Sequence, residues 1–255
     1  MTTIPEVQVY EDNSRFWVEK GDQLMVMGDH LGRLPSVELL DPKAGEKILD
    51  AGCGAGFCTR RIAWSGAEVS GCDRADVLLS AAKEMEYSKP LGIEYSMADI
   101  VSLPYQNKQF DAVSCIAVLL QDSPKECLSF FKEAYRVLKP GGRVVISTLH
   151  EYLFQESSPN RSGQSSWERY FPADEKSVVE SRQFREEYRN SLGEVFNSVI
   201  WCHPHQILSD LLRVAGFQIT HTQSKFVTQE ALTACNQSGE TDYPAFWQVM
   251  AEKPT

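Results

Sequence analysis

The chain's 255 residues are 42% hydrophobic and carry a formal net charge of −10, so they can bury one substantial core. The acidic balance argues against a nucleic-acid backbone as partner, because such proteins present basic footprints. No apolar run is long enough for a membrane span, and the N-terminus has neither the basic nor the apolar region of a signal peptide.

The first predicted strand is 47–50, after a segment containing Tyr10 and Phe16-Trp17. Gly52, Gly54 and Gly56 space out the next turn, and a helix runs from near Phe57 to a cap at Gly66. A strand at 67–72 ends beside Asp73, and 76–86 is helical with Val77, Leu78, Ala81 and Met85 on one face. Ile93, Tyr95 and Met97 alternate as a third strand, and the apolar run 110–116 is a fourth, of the buried parallel kind. Cys127, Leu128, Phe131, Ala134, Tyr135 and Leu138 form the stripe of a helix over 125–138, which Lys139-Pro140-Gly141-Gly142 stops before a fifth strand, 143–148.

Beyond His150 the character changes. Residues 156–166 are Ser-rich with Pro159, Asn160 and Gly163, which predicts a loop. Trp167, Tyr170, Phe171, Phe184 and Tyr188 then punctuate a charged stretch too long for a plain connection, and the aromatics favour a lid carrying the acceptor pocket over a solvated excursion. A helix at 206–214 is capped by Gly216, and 217–226 and 246–251 read as final strands. Alternating strands and helices predict a parallel α/β sheet.

The glycine turn and its acids narrow the ligand. The dinucleotide fingerprint G-x-G-x-x-G would need glycine where Phe57 stands; here the spacing is G-x-G-x-G, with Asp50 two residues ahead. A carboxylate there repels a pyrophosphate by an amount on the order of a few kcal/mol at a surface-like dielectric. S-adenosylmethionine instead offers an ammonium and a sulfonium. The plainer role for Asp50 is to cap the turn. Asp73, about twenty residues beyond the turn, is placed to accept both ribose hydroxyls of an adenosine, or to cap the next helix. That position suits a nicotinamide enzyme equally.

Residues 48–57, Ile-Leu-Asp-Ala-Gly-Cys-Gly-Ala-Gly-Phe, resemble the first motif of the class I S-adenosylmethionine-dependent methyltransferases. The closest group is the small-molecule type found in ubiquinone and menaquinone biosynthesis. The resemblance covers residues 45–150 well and continues more loosely through Leu212-Arg213-Val214-Ala215-Gly216-Phe217. It implies a Rossmann-like three-layer α/β sandwich: a mostly parallel seven-stranded sheet with an antiparallel edge strand, an N-terminal helical cap and an insert after strand five. The organisation expected is one domain, 1–255, with a cap (1–45), a cofactor core (46–150), a lid or acceptor insert (151–205) and a C-terminal helix and strand pair (206–255).

The resemblance also implies a cofactor site. Asp50, Gly52, Cys53, Gly54 and Gly56 would meet the methionine part, with backbone groups of Cys115, Ile116 and Ala117 beside it. Asp99 would accept from the adenine amino group with Ala98 and Ile100 against the ring, though Asp99 also suits a turn toward Leu103-Pro104. Arg74 would border the adenine face, and Tyr10 would cover the cofactor or simply pack its own helix. The Asn/Asp-Pro-Pro-aromatic run of DNA amino-methylating relatives is absent after strand four.

A hydroxyl acceptor calls for a base, for which histidine is the default near neutral pH. His150, at the ligand side of strand five, and His203 and His205, before the last long helix, are the catalytic candidates, each with a structural role as the alternative. Crowded ligands in Cys202-His203-Pro204-His205 argue against a metal. The seven cysteines, odd in number and mostly within predicted elements, suit free thiols in a reducing cytoplasm. The expectation is methyl transfer from S-adenosylmethionine, leaving S-adenosylhomocysteine, to a small-molecule acceptor by a monomer or homodimer. The alternatives are a cofactor-binding cyclase or binding module, and a nicotinamide-dependent oxidoreductase.

Overall fold

The computed structural model describes residues 28–154, 167–170, 180–189, 195–234 and 241–255. A helical turn, Asp29–Arg33, runs straight into α1 (Leu34–Leu40). The Arg143 guanidinium closes that helix. It donates to the Leu40 carbonyl at 2.7 Å and grips both Glu46 carboxylate oxygens at 2.8 Å, a cation at a helix C-terminus held in a two-pronged pair.

The core alternates as expected: β1 (Lys47–Ala51), α2 (Phe57–Ala63), β2 (Glu68–Asp73), α3 (Asp76–Ser88), β3 (Glu94–Met97), β4 (Phe110–Ile116), α4 (Pro124–Val137) and β5 (Leu138–Leu149). After an antiparallel three-stranded sheet of β6 (Trp167–Tyr170), β7 (Arg182–Arg189) and β8 (Val195–Cys202) come α5 (His205–Val214), β9 (Gln218–Val227), α6 (Gln229–Ala234) and β10 (Tyr243–Glu252). The main sheet has the order β3-β2-β1-β4-β5-β10-β9. Strands β1 to β5 pair in parallel, and β10 runs antiparallel to both β5 and β9, giving the Rossmann-like sheet with its antiparallel edge pair.

Successive residues of the central strands feed opposite faces, as strand geometry requires. Leu49, Val113 and Ile146 join Phe130, Phe131, Leu208 and Trp247 on the face covered by α4 and α5. Ile48, Ala112 and Val145 pack with Leu40 and Ile62 on the face covered by α1 and α2. Each fully buried large aliphatic or aromatic side chain contributes about 1.5–3 kcal/mol to such a core.

Three elements differ from the sequence expectation. In α4 the buried set is Cys127, Phe130, Phe131, Ala134 and Val137, so the face is rotated from the predicted stripe, and Leu138 belongs to β5. Ser123 and Glu126 start that helix with a reciprocal capping box, and Pro124 follows the cap. Strand β5 begins earlier than expected because residues 139–142 bond the segment at the end of β10, although Gly141 turns the chain at φ of 77°. The Gly141 amide bonds the Lys253 carbonyl at 2.8 Å, and the Lys253 amide bonds that of Gly142 at 2.8 Å. Within the proposed lid, residues 182–189 and 195–202 are strands; the predicted loop 156–166 lies outside the described residues. Among the described residues, no helix is long and apolar enough to cross a membrane.

Candidate functional site

The strand order reverses between β1 and β4, and open α/β sheets bind ligands beyond the C-terminal strand ends at such a switch point. The glycine turn fills that place. Gly52, Gly54 and Gly56 have φ of 74°, 54° and 85°, the left-handed region that side chains resist. At two of them packing is decisive as well. A Cβ on Gly52 would stand 2.4 Å from a Val118 methyl, and one on Gly56 would stand 2.4 Å from the Tyr95 hydroxyl. Around Gly54, among the described residues, only Leu78 lies near, at 3.9 Å, so they leave the main chain there open to a close approach.

Asp50 does not face that opening. It is buried, its Oδ2 accepts from the Thr59 hydroxyl at 2.7 Å and its Oδ1 from the Ser114 hydroxyl at 2.7 Å. The carboxylate therefore braces β1 against α2 and β4 through side chains rather than capping the turn with backbone amides. Burial pushes its pKa up, against the opposing pull of the two hydroxyls. Thr59 and Ser114, its partners, carried no signal in the sequence.

Asp73 lies at the end of β2, buried. Its Oδ2 accepts from the Gly54 amide at 2.8 Å and its Oδ1 from the Ala75 amide at 2.9 Å, so it clasps the glycine turn and starts α3. Arg74 is exposed beside it and acts electrostatically on Asp122 and Glu126. Beyond β3, Asp99 is exposed and turns the chain by accepting from the Val101 amide at 3.1 Å. Ala98 is half-buried, whereas Ile100 packs in the core, leaving little of its side chain for a ring.

At the end of β4, Cys115 and Ile116 are buried, so only their backbone can meet a ligand, and Ala117 adopts φ of 60°. Burial drives the thiol pKa of Cys53, Cys58, Cys72, Cys115 and Cys127 up, which leaves them inert as nucleophiles. The six described cysteines form no disulfide with one another. Asp122, read from the sequence as facing the transfer site or capping the next helix, is not the cap, which is Ser123; it is buried beside the Arg74 charge, and burial raises its pKa to about 6. Tyr10 lies outside the described residues.

The three histidine candidates separate. His203 is a strut: Nε2 donates to the Asp122 and Leu119 carbonyls at 2.9 and 3.1 Å, and Nδ1 accepts from the Ser181 hydroxyl at 2.9 Å. Buried and with both ring nitrogens engaged, it is not positioned to touch a substrate. His150 and His205 instead converge on Glu151, a residue the sequence reading passed over although it adjoins His150. Glu151 Oε1 bonds His205 Nδ1, and Oε2 lies 3.5 Å from His150 Nδ1. The ligand atoms of these three groups all lie within 4.8 Å of one another.

The comparisons agree with this architecture. Residues 48–142 match a family model described as a methyltransferase domain. The ubiquinone biosynthesis O-methyltransferase of Pseudomonas entomophila is 33% identical over 108 residues, 42% of this chain and 46% of that one. The chain thus spans about half the length of the curated relatives it first matches. The demethylmenaquinone methyltransferase of Clavibacter sepedonicus is 30% identical over 212 residues, 82% of this chain and 80% of its own. Among solved structures, an S-adenosylmethionine-dependent methyltransferase from Methanosarcina mazei shares the fold with a TM-score of 0.62 at 22% identity, covering 83% of this chain and 94% of that one. The Burkholderia thailandensis 1,6-didemethyltoxoflavin-N1-methyltransferase, solved with S-adenosylhomocysteine, has a TM-score of 0.61 at 16% identity over 100% of this chain and 92% of its own. On the relative matched along four-fifths of both chains, the family model and the sheet order together, this chain belongs to the class I S-adenosylmethionine-dependent methyltransferases.

Proposed function

We propose that the chain holds S-adenosylmethionine across the β1–β4 switch point and moves its methyl group to a small-molecule acceptor. The observation that carries this reading is the clasp at the end of β2, where buried Asp73 ties the open Gly54 backbone to the acid that would meet a ribose. The residues suit the group: a side chain at Gly54 would occupy the space a ligand needs, and Asp73, held by the Gly54 and Ala75 amides, fixes a carboxyl group at the strand end beside that space.

In this reading Gly52, Cys53, Gly54 and Gly56 bring main chain to the methionine part, with the backbone of Cys115, Ile116 and Ala117 opposite. Asp99 accepts from the adenine amino group, Ala98 and the edge of Ile100 border the ring, Arg74 flanks it and Tyr10 covers the site. Asp50 acts by holding the turn's shape rather than by contact. Bound there, S-adenosylmethionine supplies a methyl group activated by a sulfonium. The protein's part is alignment and exclusion of water, which can supply a large share of the rate. With Nδ1 bonded to Glu151, His205 keeps Nε2 as its basic nitrogen for a proton from a hydroxyl acceptor. His150, a neighbour at 6.0 Å between ring centres, is the second candidate.

The organisation proposed is one domain whose insert, 151–205, shapes the acceptor side, in a cytoplasmic monomer or homodimer. Named relatives include an O- and an N1-methyltransferase, so the acceptor is proposed as a class only. Calorimetry should give micromolar binding of S-adenosylhomocysteine, and Asp73→Ala should weaken it about tenfold or more, about 1.4 kcal/mol. Absence of binding by either cofactor form would overturn the reading. Labelled cofactor offered to candidate acceptors would reveal the methylated product.

A further inference from the structure

We infer that His150, Glu151 and His205 form a binding site for one divalent first-row transition-metal ion, of the zinc type. Two imidazoles and a carboxylate are a donor set that holds such ions in many unrelated proteins. The sequence scatters them: His150 and Glu151 follow β5, whereas His205 opens α5. Folding brings their ligand atoms within 4.8 Å of one another.

A second observation points to a cation. Glu151 is buried, with 11% of its side chain exposed, and its Oε2, shielded from solvent, accepts no hydrogen bond from any described residue. That oxygen lies 3.5 Å from His150 Nδ1, which itself acts as an acceptor, taking the Tyr152 amide at 3.1 Å. Two acceptors thus face each other with no proton between them. Ligands about 2.1 Å from a tetrahedral ion stand about 3.4 Å apart, close to this separation. The Tyr152 amide, at the long end for an N–H donor, is the contact an ion at Nδ1 displaces. Glu151 Oε1 and His205 Nδ1 are already in contact, so the third ligand needs only a small separation to admit the ion. Leu153 and Phe154, buried in the next turn, hold the Glu151 backbone in place.

This site lies on the acceptor side of the proposed function, and its existence does not depend on the cofactor pocket; an ion at Nδ1 leaves the ring proton of His205 on Nε2, so in the loaded form His205 is a ligand and not the base. The test is titration of chelator-treated protein with Zn2+ and Co2+ by calorimetry and visible absorption, with S-adenosylhomocysteine binding measured in parallel. One equivalent should bind, and Glu151→Gln and His205→Ala should each weaken it about tenfold or more while leaving S-adenosylhomocysteine affinity within about twofold. X-ray absorption of the zinc-loaded parent should show nitrogen and oxygen ligands with imidazole scattering, a readout that needs no variant. No stoichiometric uptake, unchanged affinity in both variants, or sulfur in the first coordination shell would overturn the inference. Metal uptake without S-adenosylhomocysteine binding would sustain it and defeat the functional reading instead.

Discussion

Asp122 shows how much one side chain decides. It is 4% exposed, and its carboxylate accepts no hydrogen bond among the described residues; the Arg74 charge only partly offsets the loss of water. Its pKa, raised from 3.8 to about 6, means the native state holds this proton more tightly than the unfolded chain does. Stability contributed by the protonated form is therefore present below about pH 4 and is lost as pH rises to about 6. A shift of that size corresponds to at most about 3 kcal/mol. Asp122→Asn, which keeps the shape without the charge, is expected to stabilise the protein by about 1–3 kcal/mol at pH 7.5 and by almost nothing at pH 4. Urea unfolding at the two pH values measures it, and equal effects at both would refute the account. Asp50 is the contrast: equally buried, it has two hydroxyl donors and braces three elements.

At the scale of elements, the glycine turn is shaped by its neighbour as much as by its own backbone. Gly52→Ala meets a positive φ costing about 1–2 kcal/mol, and its Cβ would collide with Val118 at 2.4 Å, adding about 1–3 kcal/mol. Adding Val118→Ala removes the methyl groups but not the φ penalty. The double variant is thus expected to be at least about 1 kcal/mol more stable than the sum of the single effects, in a thermal or denaturant double-mutant cycle. Strict additivity would mean the collision is relieved elsewhere. The turn and strands such as 110–116 were legible because a continuous apolar run bounded by turn residues fits few alternatives. The β7 segment was not: Arg182, Arg185, Glu186, Glu187 and Arg189 obscure the two-residue period. The α4 face was misread by part of a turn because Leu128 and Tyr135, apolar by type, are only half-buried.

Over the whole molecule, what sequence cannot display is proximity between distant residues. Asp73 and Asp99 could be proposed as ligand contacts because they lie at strand ends in a fixed order after the glycine turn. Asp50 and Ser114, 64 residues apart, and Glu151 and His205, 54 apart, meet only when the sheet is assembled. His203 makes the same kind of long-range join, linking the end of β8 to the loop between β4 and α4 through the Leu119 and Asp122 carbonyls. Removing its ring leaves those buried acceptors short of a donor, a loss of about 1–3 kcal/mol, so His203→Ala should lower stability by that amount at pH 7.5. Burial holds the His203 pKa below its ordinary 6.5, so the native state keeps it neutral while the unfolded chain takes up a proton. The parent accordingly loses stability as pH falls through about 6.5, and the alanine variant escapes that loss. The difference between the two proteins should narrow from pH 7.5 to pH 5.5. Hydrogen exchange at pH 7.5 should register faster opening across 195–202 in the variant, with the amides of β1 unchanged. Equal acceleration in both would mean that His203 supports the main sheet as a whole rather than the join between the two sheets.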